Sequence, residues 1–150
     1  MPDHESMARQ MARVTRPGGL VAAYVWDYSG GMQMMRQFWD AAIAVSPNDA
    51  KLDRAERSPL CQPGPLRALF ERAELKSVTV CAIDVPTVFR NFNDYWNPFL
   101  RKTGAAPTYL ASVGDEVRER IRRCLESRLA SLQDGPIELT ARARAVQGVV

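Results

Sequence analysis

Apolar positions in the first third of the chain change period twice. Met7, Met11 and Val14 recur at the i, i+4, i+7 spacing of one helical face, behind Asp3, a residue suited to cap a helix start. Pro17, Gly18 and Gly19 end that helix. Leu20 to Trp26 is then a nearly continuous apolar run rich in valine and aromatics, the pattern expected of a strand buried on both faces. Gly30 and Gly31 break it, and Met35, Phe38, Trp39, Ala42 and Ile43 mark one face of a second helix that Ser46 and Pro47 close.

From Asn48 to Gly64 the sequence is polar and proline-containing, the composition of a long connection with room for one short helix. Leu66, Leu69, Phe70 and Ala73 predict a short amphipathic helix. Lys76 to Val88 reads as a strand, with Val78, Val80 and Ala82 alternating against Ser77, Thr79 and Cys81, and with Pro86 ending the ladder or sitting at an edge. Phe92, Tyr95, Trp96 and Phe99 share one helical face within Asn91 to Leu100. After a break at Gly104 to Pro107, Ser112 with Asp115 or Glu116 forms a helix-start box before a stripe of Val117, Ile121, Leu125, Leu129 and Leu132. The Asp134-Gly135-Pro136 turn leads into a last strand, Ile137 to Val150, with Ile137, Leu139, Ala141, Ala143 and Ala145 on its apolar face.

With 150 residues and 46% hydrophobic side chains, the chain has the material for one ordinary domain with a real core. A formal net charge of +3 implies no strong polyelectrolyte partner. The densest basic cluster, Arg118, Arg120, Arg122, Arg123 and Arg128, is interleaved with Glu116, Glu119 and Glu126. That pattern is a solvated helix face rather than a nucleic-acid stripe. Three widely spaced cysteines, Cys61, Cys81 and Cys124, fit neither a disulfide framework nor a paired metal motif and are expected as reduced thiols. No stretch reaches the roughly 20 apolar residues of a membrane helix, and Met1 to Gln10 has no apolar core for a signal peptide, so a soluble cytoplasmic protein is expected. His4 is the only histidine, which excludes a histidine-based triad or a multi-histidine metal site within one chain, and leaves Cys61 without a base to activate it.

The run Arg13-Val14-Thr15-Arg16-Pro17-Gly18-Gly19 before the Leu20 to Trp26 strand and Asp27 resembles the segment that leads into the fifth strand of class I S-adenosylmethionine-dependent methyltransferases. The resemblance continues through Asn93-Asp94-Tyr95-Trp96-Asn97-Pro98-Phe99 and through Asp134-Gly135-Pro136-Ile137. It implies a single domain over residues 1–150 corresponding to the C-terminal half of that fold. The fold class it implies is α/β, a partial Rossmann-like domain with about three mixed or antiparallel strands. Their order would be fifth, seventh, sixth, the last strand lying antiparallel between the other two. Helical lid or insertion segments would fall at about 32–46 and 91–132. The family's glycine-rich loop and the acidic residue for the cofactor ribose have no counterpart, and the chain starts as though just past the fourth strand. The resemblance thus implies S-adenosylmethionine as cofactor for the family, a chain that does not complete that site on its own, and little or no transferase activity in isolation.

Asp27 and Tyr28 stand at the carboxyl end of the fifth-strand analogue, where open α/β sheets place ligands, although a plain turn explains Asp27 as well. Met35 and Trp39, with Met32 and Phe38 beside them, and Tyr95, Trp96 and Phe99 are candidates for lining an apolar pocket for a small-molecule acceptor, against the stronger reading of simple core. No catalytic or metal-ligating residue is assigned. The rival reading is a non-catalytic binding or assembly module that dimerises or completes its fold with a partner chain. In the absence of a neighbouring fourth strand, the Leu20 to Trp26 strand or the helices beside it would join two copies.

Overall fold

The computed structural model describes residues 3–53, 58–101, 103–130 and 135–150. Asp3 starts helix α1 (His4–Val14): its carboxylate accepts from the N–H groups of Glu5 and Ser6 at 3.1 and 3.2 Å, donors that a first helical turn otherwise leaves open. The elements that follow are β1 (Leu20–Trp26), α2 (Gln33–Val45), α3 (Pro63–Arg72), β2 (Lys76–Phe89), α4 (Phe92–Trp96), α5 (Ala105–Ser112), α6 (Asp115–Ala130) and β3 (Ile137–Val149), with 3-10 turns at Pro47–Leu52, Pro59–Cys61 and Asn97–Leu100. The architecture is mixed α/β with a three-strand antiparallel sheet in the order β1-β3-β2. The last strand in sequence is thus the middle strand in space. β3 pairs with β1 in a register running from Leu20 opposite Val149 to Trp26 opposite Ala143.

The chain divides into two compact units. The first comprises Met1–Gly31, Ala55–Asp84 and Arg142–Val150, and the second Met32–Arg54 and Val85–Ala141. In the first unit α1 packs on α3, and the buried residues Ala8, Leu66, Leu69 and Phe70 of these helices meet Val21 of β1, Val78 of β2 and Val146 of β3. Gly148 is required here, because a Cβ at this position would press on Leu75 and Val78. The face of α1 that packs is Ala8, Met11 and Ala12, not the predicted Met7, Met11, Val14 stripe. Met7 and Val14 are exposed, since the small side chain of Ala8 lets the helix sit close to its neighbours.

In the second unit α2 packs on α6 and α5, α4 packs on α6, and the core is aromatic. Phe38 and Trp39 of α2, Tyr95 and Trp96 of α4, and Ile121, Leu125 and Leu129 of α6 are buried as their spacing predicts. Leu132, the last residue of the predicted stripe, lies outside the described residues, as does Asp134 of the predicted turn.

Four local expectations are corrected. β1 is not buried on both faces: its burial alternates, with Val21 buried and Leu20, Ala22, Tyr24 and Trp26 exposed, because helices cover only one face of the sheet in this unit. Ser112 does not open α6; it closes α5, its hydroxyl donating to the Tyr109 carbonyl at 2.7 Å. Pro107 falls in the first turn of α5 rather than in a break, a position that tolerates the missing N–H. Finally, the buried positions of β3 change parity. Ile137 and Leu139 join the core of the second unit and Val146 joins that of the first, so Ala145 is not a core residue.

Candidate functional site

The carboxyl end of β1 gathers a connected set of polar side chains in the first unit. Asp27 follows β1 directly, and its N–H donates to the Arg142 carbonyl at 2.8 Å, so the β1–β3 ladder fixes its backbone. Only 3% of the residue is exposed, making it a buried charge in need of partners. They are present on every side. Ser29 Oγ donates to Oδ1 at 2.5 Å, and the Arg144 guanidinium reaches Oδ2 through Nε at 3.2 Å and Nη2 at 3.1 Å. Burial pushes the Asp27 carboxyl up, but the Ser29 hydrogen bond, the Arg144 charge and the Gly31 N–H outweigh it and hold the group below the usual carboxylate range.

The surroundings are built from the same few loops. Gln62 Nε2 donates to Ser29 Oγ at 2.8 Å, and the Cys61 thiol donates to the Trp26 carbonyl at 3.0 Å, so the 3-10 turn before α3 is anchored to the end of β1. Arg142, two residues from Arg144 on the same side of β3, forms a bidentate pair with Asp84 of β2 at 2.6 and 2.8 Å. That hydrogen bonding holds the Asp84 carboxyl below its ordinary range. Gly31 completes the loop. Its carbonyl accepts from the Arg142 N–H at 2.9 Å, and a Cβ at this position would collide with the Arg142 side chain.

This arrangement is a fixed polar surface, not an acid–base device. Both Asp27 oxygens are occupied and its pKa is lowered, so it is poorly suited to take a proton near neutral pH. It can orient a polar group presented to the end of β1, beside the half-exposed Tyr28 ring.

The other five predicted residues belong to the second unit. Trp39, Tyr95, Trp96 and Phe99 are buried in its core, with Met35 packed against it partly buried. Their rings fill one another's space: Phe38 stacks on Phe99 at 4.6 Å between centroids, Tyr95 meets Phe99 at 5.4 Å and Phe89 at 5.3 Å, and Trp39 lies against Tyr109 at 5.3 Å. The Tyr95 hydroxyl donates to the Met34 carbonyl at 2.8 Å, and burial pushes its phenol far above the ordinary range. Arg36 of α2 is set between Asp40 at 3.0 Å and Asp53, and Arg128 of α6 reaches Asp40 at 3.3 Å. These residues stabilise the helix packing of the unit. On α6, Arg123 pairs with Glu119 and Arg122 with Glu126, while the Arg122 guanidinium lies 5.2 Å from the Phe92 ring centre, so part of the basic cluster is engaged locally.

Sequence reasoning singled out Asp27 and Tyr28 but not Ser29, Gln62, Asp84, Arg142 or Arg144. A signal was present in Ala141-Arg142-Ala143-Arg144-Ala145, where two arginines share one face of a strand and call for carboxylates opposite. Among the described residues, no helix is long and apolar enough to cross a membrane. Nor is any group of three or more His, Cys, Asp or Glu residues there placed to hold a metal ion. No family model matches the chain, and no curated protein matches it.

Proposed function

We propose that this chain is the acceptor-side, C-terminal part of a class I S-adenosylmethionine-dependent methyltransferase domain of Rossmann-like type, without a complete cofactor site of its own. The observation that carries this reading is the strand order: β3, the last strand, lies antiparallel to β1 and between β1 and β2. That is the arrangement implied by the resemblance for the fifth, seventh and sixth strands. The Asp27 cluster supports it further, since it stands at the carboxyl end of the fifth-strand analogue.

The residues present do not fit S-adenosylmethionine. Three of the four glycines in the Gly18-Gly19 and Gly30-Gly31 pairs serve the chain itself. Gly18, at φ +74, and Gly19 exchange hydrogen bonds with Val150, and Gly31 makes room for Arg142. The buried carboxylate, Asp27, is already hydrogen-bonded by Ser29 and Arg144 and is almost wholly withdrawn from water, so it is poorly placed to hold ribose hydroxyls directly. What these residues supply is positioning of a small-molecule acceptor, the part of methyl transfer that depends on orientation.

Two titrations test the reading. Calorimetry with S-adenosylmethionine is expected to show no saturable binding, and tight one-to-one binding would overturn the claim of an incomplete site. An amide-shift screen against phenols, catechols and small carboxylic acids is expected to move the resonances of Asp27, Tyr28 and Ser29. A panel that moves none of them would count against the acceptor side. A second reading, a binding or assembly module, is favoured by one observation: Leu20, Tyr24 and Trp26 are exposed on β1, an edge strand of the sheet.

A further inference from the structure

We infer that the open face of the sheet in the first unit is an isologous interface for a second copy of this chain. The inference is independent of the methyl-transfer reading. Helices α1 and α3 cover the face that carries Val21, Val78 and Val146. The opposite face carries Leu20 and Tyr24, with relative exposures of 59% and 67%, and Trp26 and Ile83, with 39% and 48%. By strand alternation and register, this face has no charged side chain from Leu20 to Trp26, from Thr79 to Ile83 or from Ala143 to Val149.

The size of the patch decides what it is for. An aromatic side chain offers about 150–250 Å², so Tyr24 and Trp26 leave roughly 200 Å² of ring in water. Leu20, Ile83 and the small residues between the strands bring the uncharged area to about 500–600 Å², the upper end for a surface patch on a monomer. Two such patches placed face to face bury on the order of 1,000–1,200 Å², where specific interfaces begin.

The relief of the face suits a twofold. A groove of about 290 Å³ runs beside Tyr24, lined by the small residues Ala22, Ala145 and Cys81 and bordered by Ile83. A twofold across the face seats Tyr24 of each copy in the groove of the other, giving the self-complementary knob and hollow that an isologous contact needs. A nucleic-acid or anionic-membrane surface is a poor occupant, because the strand residues of this face, among the described residues, include no lysine or arginine for phosphate. Edge-to-edge pairing through β1 would leave Tyr24, Cys81 and Ile83 in water, whereas a contact through the face covers them.

Sedimentation velocity over a concentration series, with maleimide labelling mapped by mass spectrometry, tests this. The expected result is a dimer of twice the chain mass in which Cys81, exposed in the single chain, is protected at least tenfold against alkylation. Tyr24→Lys with Ile83→Lys is expected to give a folded monomer by circular dichroism, with Cys81 fully reactive. A monomer at all concentrations overturns the inference. So does a dimer whose Cys81 reacts freely, which would point to the β1 edge or another surface. Should the double variant fail to fold, Cys81 protection in the unsubstituted chain decides alone.

Discussion

Arg144 of β3 and Asp27 at the end of β1 face each other across the strand pair, with Nη2 3.1 Å from Oδ2. The aspartate is almost wholly withdrawn from water while the arginine keeps about a fifth of its side chain exposed. This asymmetry makes the carboxylate dependent on its partners. The arginine can fall back on solvent, but Asp27 cannot.

Replacing Asp27 by Asn keeps the shape of the side chain and removes its charge. The variant is expected to lose about 2 kcal/mol of stability, the typical loss for hydrogen bonds to a charged group. Urea unfolding of Asp27→Asn against the unsubstituted chain measures it, and equal midpoints would show that the pair contributes nothing net.

The sign of the pH dependence follows from the lowered carboxyl pKa. A group whose folded pKa lies below its ordinary value of 3.8 stabilises the fold fully above that value, and the contribution is lost as pH falls through the folded pKa. Stability is therefore expected to decline below about pH 4, and the decline should be shallower in Asp27→Asn. Parallel acid titrations of the two proteins followed by tryptophan fluorescence would contradict this assignment if their slopes coincided.

Gly31 is needed for close approach. A Cβ there would meet the Cβ of Arg142, so Gly31→Ala must displace the β3 backbone or the loop after Trp26. An overpacking cost of about 1–3 kcal/mol is expected. Thermal unfolding of Gly31→Ala beside Gly30→Ala is the check, since a Cβ at Gly30 meets nothing. Similar midpoints for the two would refute the contact.

In the second unit, Phe99 and Tyr95 separate packing from hydrogen bonding. Phe99→Ala removes a ring stacked on Phe38 and is expected to cost about 3–5 kcal/mol. Tyr95→Phe keeps the ring, loses the bond to the Met34 carbonyl, and is expected to cost about 1–2 kcal/mol. Chemical denaturation of both variants is the measurement, and a reversed order would mean that the polar contact, not the ring packing, holds α4 in place.

The local code of this chain is written in short spacings. Asp3 before α1, the helical spacing of Phe38, Trp39 and Ala42, the Ile121–Leu125–Leu129 stripe and the Val78–Val80 alternation each determine an element or a buried face, because period and capping act over one or two turns. The strand order also agrees with what the resemblance implies, although nothing in periodicity alone would place the last strand in the middle of the sheet.

Tertiary structure decided the rest. Whether β1 is covered on one face or two depends on which helices return to it, and only the fold shows Tyr24 and Trp26 left in water. The alanines of β3 look alike in sequence, yet Ala143 is buried and Ala145 lines an open groove, because burial passes from one core to the other along that strand. Asp27 could have been a plain turn residue. Its partners Ser29, Arg144 and Gly31 lie 2, 117 and 4 positions away, and a buried charge can be recognised only once the chain has brought them together.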